Sequence, residues 1–167
     1  FYVDDNVISD IISNFKTKNV DAVYADLDIV DKNNLSHIKR KSRAGEYEEN
    51  AFKWGWMPPH PTFFVKKEIY EKYGHFNIAF KTSADYELML RFIHKYKIKL
   101  AYLPRVIVKM RSGGFSDSSL KHRLYANKED GLAWKVNQLT PYFFTTWLKP
   151  MRKILRNARL LYFKLLP

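Results

Sequence analysis

The chain has 167 residues, with 29 lysines and arginines against 17 aspartates and glutamates, which gives a formal net charge of +12 at pH 7. Its 46% hydrophobic and 16% aromatic content excludes a disordered or collagen-like chain, and its length fits one domain or a piece of a larger one. Because cysteine is absent, disulfides, cysteine-ligated zinc, iron–sulfur clusters and thiol catalysis are excluded. The charge favours an anionic partner, such as a nucleic acid, a phosphosugar or a membrane surface.

Two elements at the start of the chain indicate an α/β architecture. A helix is predicted over residues 6–18, capped by Asp4 or Asp5 and ended by Asn19. Its apolar residues recur at helical spacing and form one face: Val7, Ile8, Ile11, Ile12 and Phe15. The β-branched, partly alternating residues 20–30 predict a strand, and a helix followed by a strand favours α/β layers.

Charged and proline-rich segments follow this strand. Alternation places Asp26 and Asp28 on one strand face, where a polar strand edge is favoured over a magnesium site. Residues 31–53 are polar, with a basic cluster at 39–43, and predict a solvated hairpin or loop; the alternative is a loop that touches an anionic substrate. Residues 54–62 hold three prolines and two tryptophans, so they predict a rigid, irregular loop and a candidate site wall.

The middle of the chain alternates short strands and helices. A strand is predicted over 62–65, followed by a helix over 66–73 that ends at Gly74. The capping-box spacing at 82–85 predicts the start of a second helix, which runs to Tyr96. Strands are then predicted over 100–103 and 106–110 with an edge or bend at Pro104, followed by a flexible turn over 112–116 and a helix from Ser116 or Asp117 to Gln138. Leu88, Phe92 and Tyr96 are expected to stack on one apolar side of the second helix, with Met89 and Ile93 beside them.

The last segment, residues 140–167, has a different character. Its basic residues fall on one arc of a helical wheel and its apolar residues on the opposite arc, which predicts a basic amphipathic helix. The basic arc holds Lys149, Arg152, Lys153, Arg156 and Arg159. Such a helix fits an anionic membrane surface over residues 149–165, and packing on the domain or on a partner is an equally weighted alternative.

Spacing alone nominates few chemical groups. Asp85, in the first turn of its predicted helix, would stay ionised and accept a proton, although a capping carboxylate without a catalytic role is favoured on spacing alone. His60 lies in the proline-rich loop, where it could be an acceptor contact or a metal ligand, although a surface or structural histidine is the commoner case. Glu87 would be exposed or bind a backbone amide, and Arg111 precedes two glycines that would let backbone amides approach an anion.

Three segments together resemble family 2 glycosyltransferases, most closely the bacterial enzymes that build cell-surface polysaccharides. They are Met57–Phe76 (MPPHPTFFVKKEIYEKYGHF), Ser83–Arg91 (SADYELMLR) and Val108–Ser116 (VKMRSGGFS). The resemblance spans most of residues 1–139, and its most specific part is the string around Asp85. The family commonly has an acidic residue just before this aspartate, where this chain has Ala84.

The resemblance implies a fold and a reaction. It implies a GT-A fold, a Rossmann-like α/β/α sandwich, that transfers a sugar from a nucleotide-diphosphate sugar to an acceptor hydroxyl, usually with inversion. Asp85 maps to the catalytic base. Trp56, His60 and Glu87 are assigned to acceptor binding, and Arg111 and Ser116 map near the donor diphosphate. Relatives often place a histidine after this arginine, where the chain has Ser112.

The resemblance also implies that these residues are the acceptor-side portion alone. The Asp-x-Asp-like motif for Mg²⁺ or Mn²⁺ and the nucleotide-binding half would precede Phe1, so this portion is expected to bind nucleotide and metal poorly and not to turn over alone. The expected partners are a nucleotide-sugar donor and a sugar or lipid-linked saccharide acceptor. The expected location is the cytoplasm, peripherally on the inner face of the cell membrane.

Two other classes of function remain open from the sequence. A basic nucleic-acid-binding module fits the charge and the aromatic content, but no recognised binding motif is present and the charge gathers in the tail, so a nucleic-acid partner is not expected. A non-catalytic scaffold similar to a glycosyltransferase is the third class.

Overall fold

The computed structural model describes residues 1–113 and 120–146. This part is mixed α/β, with four strands in one open sheet, four α-helices and a π-helical turn. The α/β prediction is confirmed. The elements are α1 (Val7–Lys18), β1 (Ala22–Val30), β2 (Ile38–Ser42), β3 (Phe64–Val65), α2 (Lys67–Tyr73), α3 (Ala84–Met89), the π-helical turn Leu90–Lys95, β4 (Leu100–Arg111) and α4 (Leu120–Val136), with 3₁₀ turns at Ala51–Trp54 and His60–Thr62.

Strand β1 lies at the centre of the sheet, and all nine of its residues are buried. It pairs in parallel with β4 along its whole length. On its other edge it pairs antiparallel with β3 near its start and with β2 near its end. The predicted strand over 20–30 is therefore confirmed, while the prediction that its aspartates mark a polar strand edge is wrong.

Helix α1 covers one face of the sheet. Val7 and Ile11 are buried in an apolar cluster with Val23 and Ile29 of β1. The predicted apolar face is too wide, because Ile8 and Ile12 are 44% and 46% exposed. A single helix buries only the stripe that meets the sheet, and these two side chains lie to its side.

The ends of α1 follow one prediction and depart from another. Asn19 takes the left-handed conformation and ends the helix as predicted (φ 46°). The helix begins after Asn6 with no side-chain cap, so neither aspartate caps it. Asp4 instead accepts the backbone N–H of Asn6 and forms an ion pair with Arg105.

A second apolar cluster joins α3, the π-helical turn and α4 with Ala22 at the start of β1. The predicted apolar side of the middle helix is confirmed, since Leu88, Met89, Phe92 and Ile93 are buried together with Trp134. Tyr96 departs from this pattern: it is 39% exposed and stacks on Tyr73 with ring centroids 4.1 Å apart. Helix α2 ends at Gly74, as predicted.

The predicted capping box at the start of α3 is wrong. Ser83 occupies the N-cap position, and no side-chain cap bond forms there. The backbone donors of residues 81–83 point instead to the carboxylate of Glu129 in α4. Glu129, distant in sequence, thus accepts the Thr82 N–H that the capping-box spacing assigns to Asp85.

Pro104 lies inside one continuous strand, β4, and not between two strands. The ladder with β1 passes from the pair Ala25–Leu103 directly to Asp26–Val106, so Pro104 and Arg105 have no partner in β1. Proline has no N–H to donate, which is why it is tolerated at such a bulge. The predicted bend is present, and the predicted break is not.

Two aspartates of β1 are buried on the face away from α1. Asp26 Oδ1 accepts hydrogen bonds from the Ala44 N–H (2.9 Å) and the Tyr102 hydroxyl (2.7 Å). Arg43 Nη1 lies 2.8 Å from Asp28 Oδ1, and its Nε lies 3.5 Å from Asp26 Oδ2. The basic cluster at 39–43 thus forms the predicted hairpin, and its last arginine neutralises charge inside the protein.

The C-terminal predictions are only partly visible. Helix α4 is present, while Ser116, Asp117 and most of the turn before it lie outside the described residues. The predicted amphipathic helix over 149–165 also lies outside them. Residues 140–146 are described and pack on the domain: Thr145 donates a hydrogen bond to the Lys53 carbonyl (2.8 Å). Among residues 1–113 and 120–146, no helix combines the length and apolar character needed to cross a bilayer.

We expect Arg43→Met to lower the free energy of unfolding by about 1–3 kcal/mol, because two buried carboxylates lose a charged hydrogen-bond donor. The matched control is Lys41→Met, an exposed residue of β2 two positions before Arg43, which should change the free energy of unfolding by less than about 0.5 kcal/mol. Urea unfolding at neutral pH measures both. Equal losses in the two variants would contradict the role of Arg43.

Candidate functional site

Asp85 and His60, both nominated from sequence, meet in the structure. His60 Nδ1 lies 3.0 Å from Asp85 Oδ2. The Asp85 side chain is 31% exposed and that of His60 is 56% exposed, so the pair is held in place and open to a ligand. Asp85 Oδ1 accepts the backbone N–H of Tyr86 (2.8 Å).

The loop carrying His60 is anchored to the middle of the sheet. Thr62 is fully buried, and its hydroxyl lies 2.7 Å from the Ala25 carbonyl oxygen and 3.3 Å from the Ala25 nitrogen. His60 begins the 3₁₀ turn that Thr62 ends. Three neighbouring prolines restrict the backbone on either side. The predicted loop is therefore anchored, and it is not wholly irregular, because it contains the 3₁₀ turn His60–Thr62 and begins at the end of the turn Ala51–Trp54.

The chemistry of this pair follows from the atoms in contact. An ionised carboxylate only accepts hydrogen bonds, so the short contact makes Nδ1 of His60 the donor. The Asp85 carboxylate is partly exposed, and a carboxylate can take a proton from a hydroxyl that comes within hydrogen-bond distance. The contact also orients the imidazole and leaves its Nε2 as a second acceptor.

Glu87 does not fit the acceptor-binding role assigned from sequence. It is 2% exposed, and its carboxylate accepts hydrogen bonds from Arg91 Nε (2.8 Å), Arg91 Nη2 (3.1 Å) and Asn137 Nδ2 (3.0 Å). Arg91 in turn donates to the carbonyl oxygens of Tyr73, Gly74 and His75. Glu87 is therefore an internal anchor that joins α3, α4 and the end of α2.

Trp56 lies in the predicted loop and is half-buried. Its Nε1 donates a hydrogen bond to the Ala44 carbonyl (2.9 Å). Its ring lies 5.7 Å from those of Tyr24 and Phe52 and 5.3 Å from that of Tyr47. The indole is thus held by the core on one side.

A groove of about 540 Å³ runs beside Trp56. Its lining combines two indoles with three carboxylates: Ala44, Glu46, Glu48, Glu49, Ala51, Trp54 and Trp56. Small-molecule sites commonly combine aromatic walls with a few polar groups, and this volume falls in their usual range. The groove is acidic, in contrast with the strongly basic chain.

The two residues assigned to the donor diphosphate are less defined. Arg111 is exposed at the end of β4, beside Val30 at the end of β1. The next residue, Ser112, donates its N–H to the Val30 carbonyl (2.8 Å). Ser116 lies outside the described residues.

Metal binding has no obvious support from the described residues. Within 1–113 and 120–146, no three histidine, aspartate or glutamate side chains are grouped so as to hold a metal ion. Asp26 and Asp28, the weaker magnesium candidates, are instead neutralised by Arg43. Asp26 and Asp28, bound in this way, do not fit a Mg²⁺ or Mn²⁺ site.

Sequence reasoning missed two groups that shape the site. Thr62, which fixes the His60 loop to β1, and Glu129, which binds the segment before α3, both act across long sequence separations. The alternation of Asp26 and Asp28 in the sequence is a signal of the buried polar face of β1, but the same pattern also fits a polar strand at the edge of a sheet. Nothing local in the sequence marks Glu129 as a cap.

The fold and site define a mixed α/β domain with an Asp–His pair at the boundary between a sheet-anchored loop and a helix. Comparisons with protein-family models, curated proteins and solved structures find no match to the chain.

We expect Tyr102 to resist ionisation until strongly alkaline pH. Burial, together with the hydrogen bond that its hydroxyl donates to Asp26, raises the pKa of Tyr102 from 10.0 to about 12. Between these values the unfolded chain loses this proton and the folded chain keeps it, so the free energy of unfolding falls as pH rises. In an ultraviolet titration, Tyr102→Phe should lack a tyrosinate step near pH 12; loss of a step near pH 10 would contradict this assignment.

Proposed function

We propose that the chain is the acceptor-side portion of a family 2 glycosyltransferase with a GT-A fold, acting in the synthesis of a cell-surface polysaccharide. The donor is a nucleotide-diphosphate sugar, and the acceptor is a sugar hydroxyl, free or on a lipid-linked saccharide. The proposal rests on the resemblance of three segments and on one geometric observation: two of those segments, around His60 and around Asp85, meet through a 3.0 Å contact.

In this proposal Asp85 is the general base. Its carboxylate takes the proton of the acceptor hydroxyl as the hydroxyl oxygen bonds to the anomeric carbon of the donor sugar. The bond from that carbon to the diphosphate breaks, and the diphosphate leaves with the electron pair. A single displacement of this kind inverts the configuration at the anomeric carbon.

The neighbours of Asp85 have supporting roles. His60 holds Oδ2 of Asp85 and so orients the carboxylate, while Trp56 gives the acceptor a fixed indole wall. Arg111 and Ser116 are assigned to the diphosphate side by resemblance alone. Glu87 has no part in acceptor binding in this proposal, because its carboxylate is already bound by Arg91 and Asn137.

The donor nucleotide and a divalent cation belong, in this proposal, to the nucleotide-binding half of a complete enzyme. The assay that tests the function therefore uses protein carrying that half. Transfer of a sugar from a nucleotide-diphosphate sugar to a saccharide acceptor supports the proposal. Salt-dependent binding to a generic oligonucleotide, without transfer, supports the nucleic-acid module instead.

We expect Asp85→Asn in that protein to lower the rate of sugar transfer by about 10²–10⁴-fold, because the amide cannot take the acceptor proton. The matched control, Asp5→Asn, changes an exposed aspartate and should keep the parental rate. Circular dichroism establishes that both variants fold. An unchanged rate in Asp85→Asn would remove the base role from this residue.

We also propose that the protein works in the cytoplasm, peripherally on the inner face of the membrane, through the basic residues of 149–165. Each such residue near an anionic surface contributes up to about 1 kcal/mol of binding. The full chain should sediment with vesicles containing phosphatidylserine, and a chain ending at Thr146 should bind them much less. Neutral vesicles are the control. Equal sedimentation of the two chains would contradict the membrane role.

A further inference from the structure

The carboxylate of Glu129 is the polar centre of the contact between α4 and the start of α3. Its Oε1 accepts the Lys81 N–H (2.9 Å), and its Oε2 accepts the Thr82 N–H (2.8 Å), the Thr82 hydroxyl (2.7 Å) and the Ser83 N–H (2.9 Å). Glu129 is 6% exposed. One buried side chain thus binds four donors from three consecutive residues.

These three residues lead directly into the helix that carries Asp85. Helix α3 begins at Ala84, so only one residue separates Asp85 from the last amide bound by Glu129. The Ser83 hydroxyl adds a second link to α4, at 3.2 Å from the Ala126 carbonyl oxygen. The backbone just before Asp85 therefore takes its position from α4.

We infer that Glu129 is a positioning residue for Asp85: by fixing the backbone at residues 81–83, it sets where the Asp85 carboxylate meets His60. Naming Asp85 as a base rests on the proposed function, whereas the structural coupling from Glu129 to the Asp85–His60 contact does not. No contact between Glu129 and substrate is invoked.

Two further hydrogen bonds connect α3 with the end of α4 and the residue after it, and both bind residues that follow Asp85. Trp134 Nε1 donates to the Tyr86 hydroxyl (2.8 Å), and Asn137 Nδ2 donates to Glu87 (3.0 Å). Both links follow Asp85 in sequence and hold the body of the helix. Of Glu129, Trp134 and Asn137, only Glu129 binds the residues before Asp85, which makes Trp134 a suitable control.

The charge of Glu129 is needed for this arrangement. Burial by itself raises the pKa of Glu129, but the hydrogen bonds from Lys81, Thr82 and Ser83 outweigh burial and hold it below its ordinary value. The carboxylate is ionised at neutral pH and offers acceptors only. A glutamine side chain would turn an NH₂ group toward some of these donors, so part of the set would be lost.

The test reads the Asp85–His60 contact directly, without an enzymatic assay. The contact places the proton of neutral His60 on Nδ1, and ¹⁵N chemical shifts of the imidazole report the fraction of that tautomer. At a pH where the imidazole is neutral, the parent chain should show mainly the Nδ1–H form. Asp85→Ala sets the value for a lost contact.

We expect Glu129→Gln to lower the fraction of the Nδ1–H tautomer of His60 most of the way from its value in the parent chain to its value in Asp85→Ala. Trp134→Phe removes a buried hydrogen bond of the same interface after Asp85, and it should keep the parental tautomer fraction even where it lowers the melting temperature. A parental fraction in Glu129→Gln would overturn the inference. So would an equal loss in Trp134→Phe, because the effect would then report general weakening of the interface.

A second variant covers the case in which Glu129→Gln does not fold. Glu129→Asp keeps the charge but shortens the reach by one methylene, so it should give a smaller loss in the same direction and shift the amide signals of residues 81–83. An unchanged tautomer fraction in this variant would also overturn the inference. If the tautomer results agree and the complete protein transfers no sugar, the proposed function fails while the positioning role of Glu129 stands.

Discussion

Complete burial of β1 is the constraint on which the remaining structure depends. All nine residues of this strand are removed from water, although two of them are aspartates. Burying an ionised carboxylate is costly unless charged or polar partners surround it. The hairpin arginine Arg43 and the Tyr102 hydroxyl meet that need for Asp26 and Asp28, so the polar face of β1 determines where the β1–β2 hairpin and β4 lie against it.

The same strand positions half of the candidate site. Thr62 binds both the N–H and the carbonyl of Ala25, and these groups lie in the interior of the sheet. His60, at the start of the same 3₁₀ turn, is therefore fixed relative to β1. Asp85 takes its position from elsewhere, since its helix is bound to α4 at residues before and after it.

Sequence patterns predicted the elements whose signals are local. Helix α1, strand β1 and the stop at Gly74 follow from periodicity and from turn residues, which act within a few positions. The burial of Glu87 was not predictable in this way, because its partners include Asn137, 50 residues away. The spacing at 82–85 was misleading for a similar reason: the distant carboxylate of Glu129 accepts the Thr82 N–H, which a local capping box would have assigned to Asp85.

The Asp85–His60 contact joins two segments that different hydrogen bonds hold in place. His60 is held by the sheet through Thr62, and Asp85 is held by α4 through the residues that precede it. The 3.0 Å distance between His60 Nδ1 and Asp85 Oδ2 therefore depends on both sets of hydrogen bonds. Helix α4 ends at Val136, and the chain after it reaches Thr145, which donates a hydrogen bond to the Lys53 carbonyl beside the acidic groove. Asp85 and the segment after α4 are thus attached to the same helix, whereas His60 is attached to β1 through Thr62.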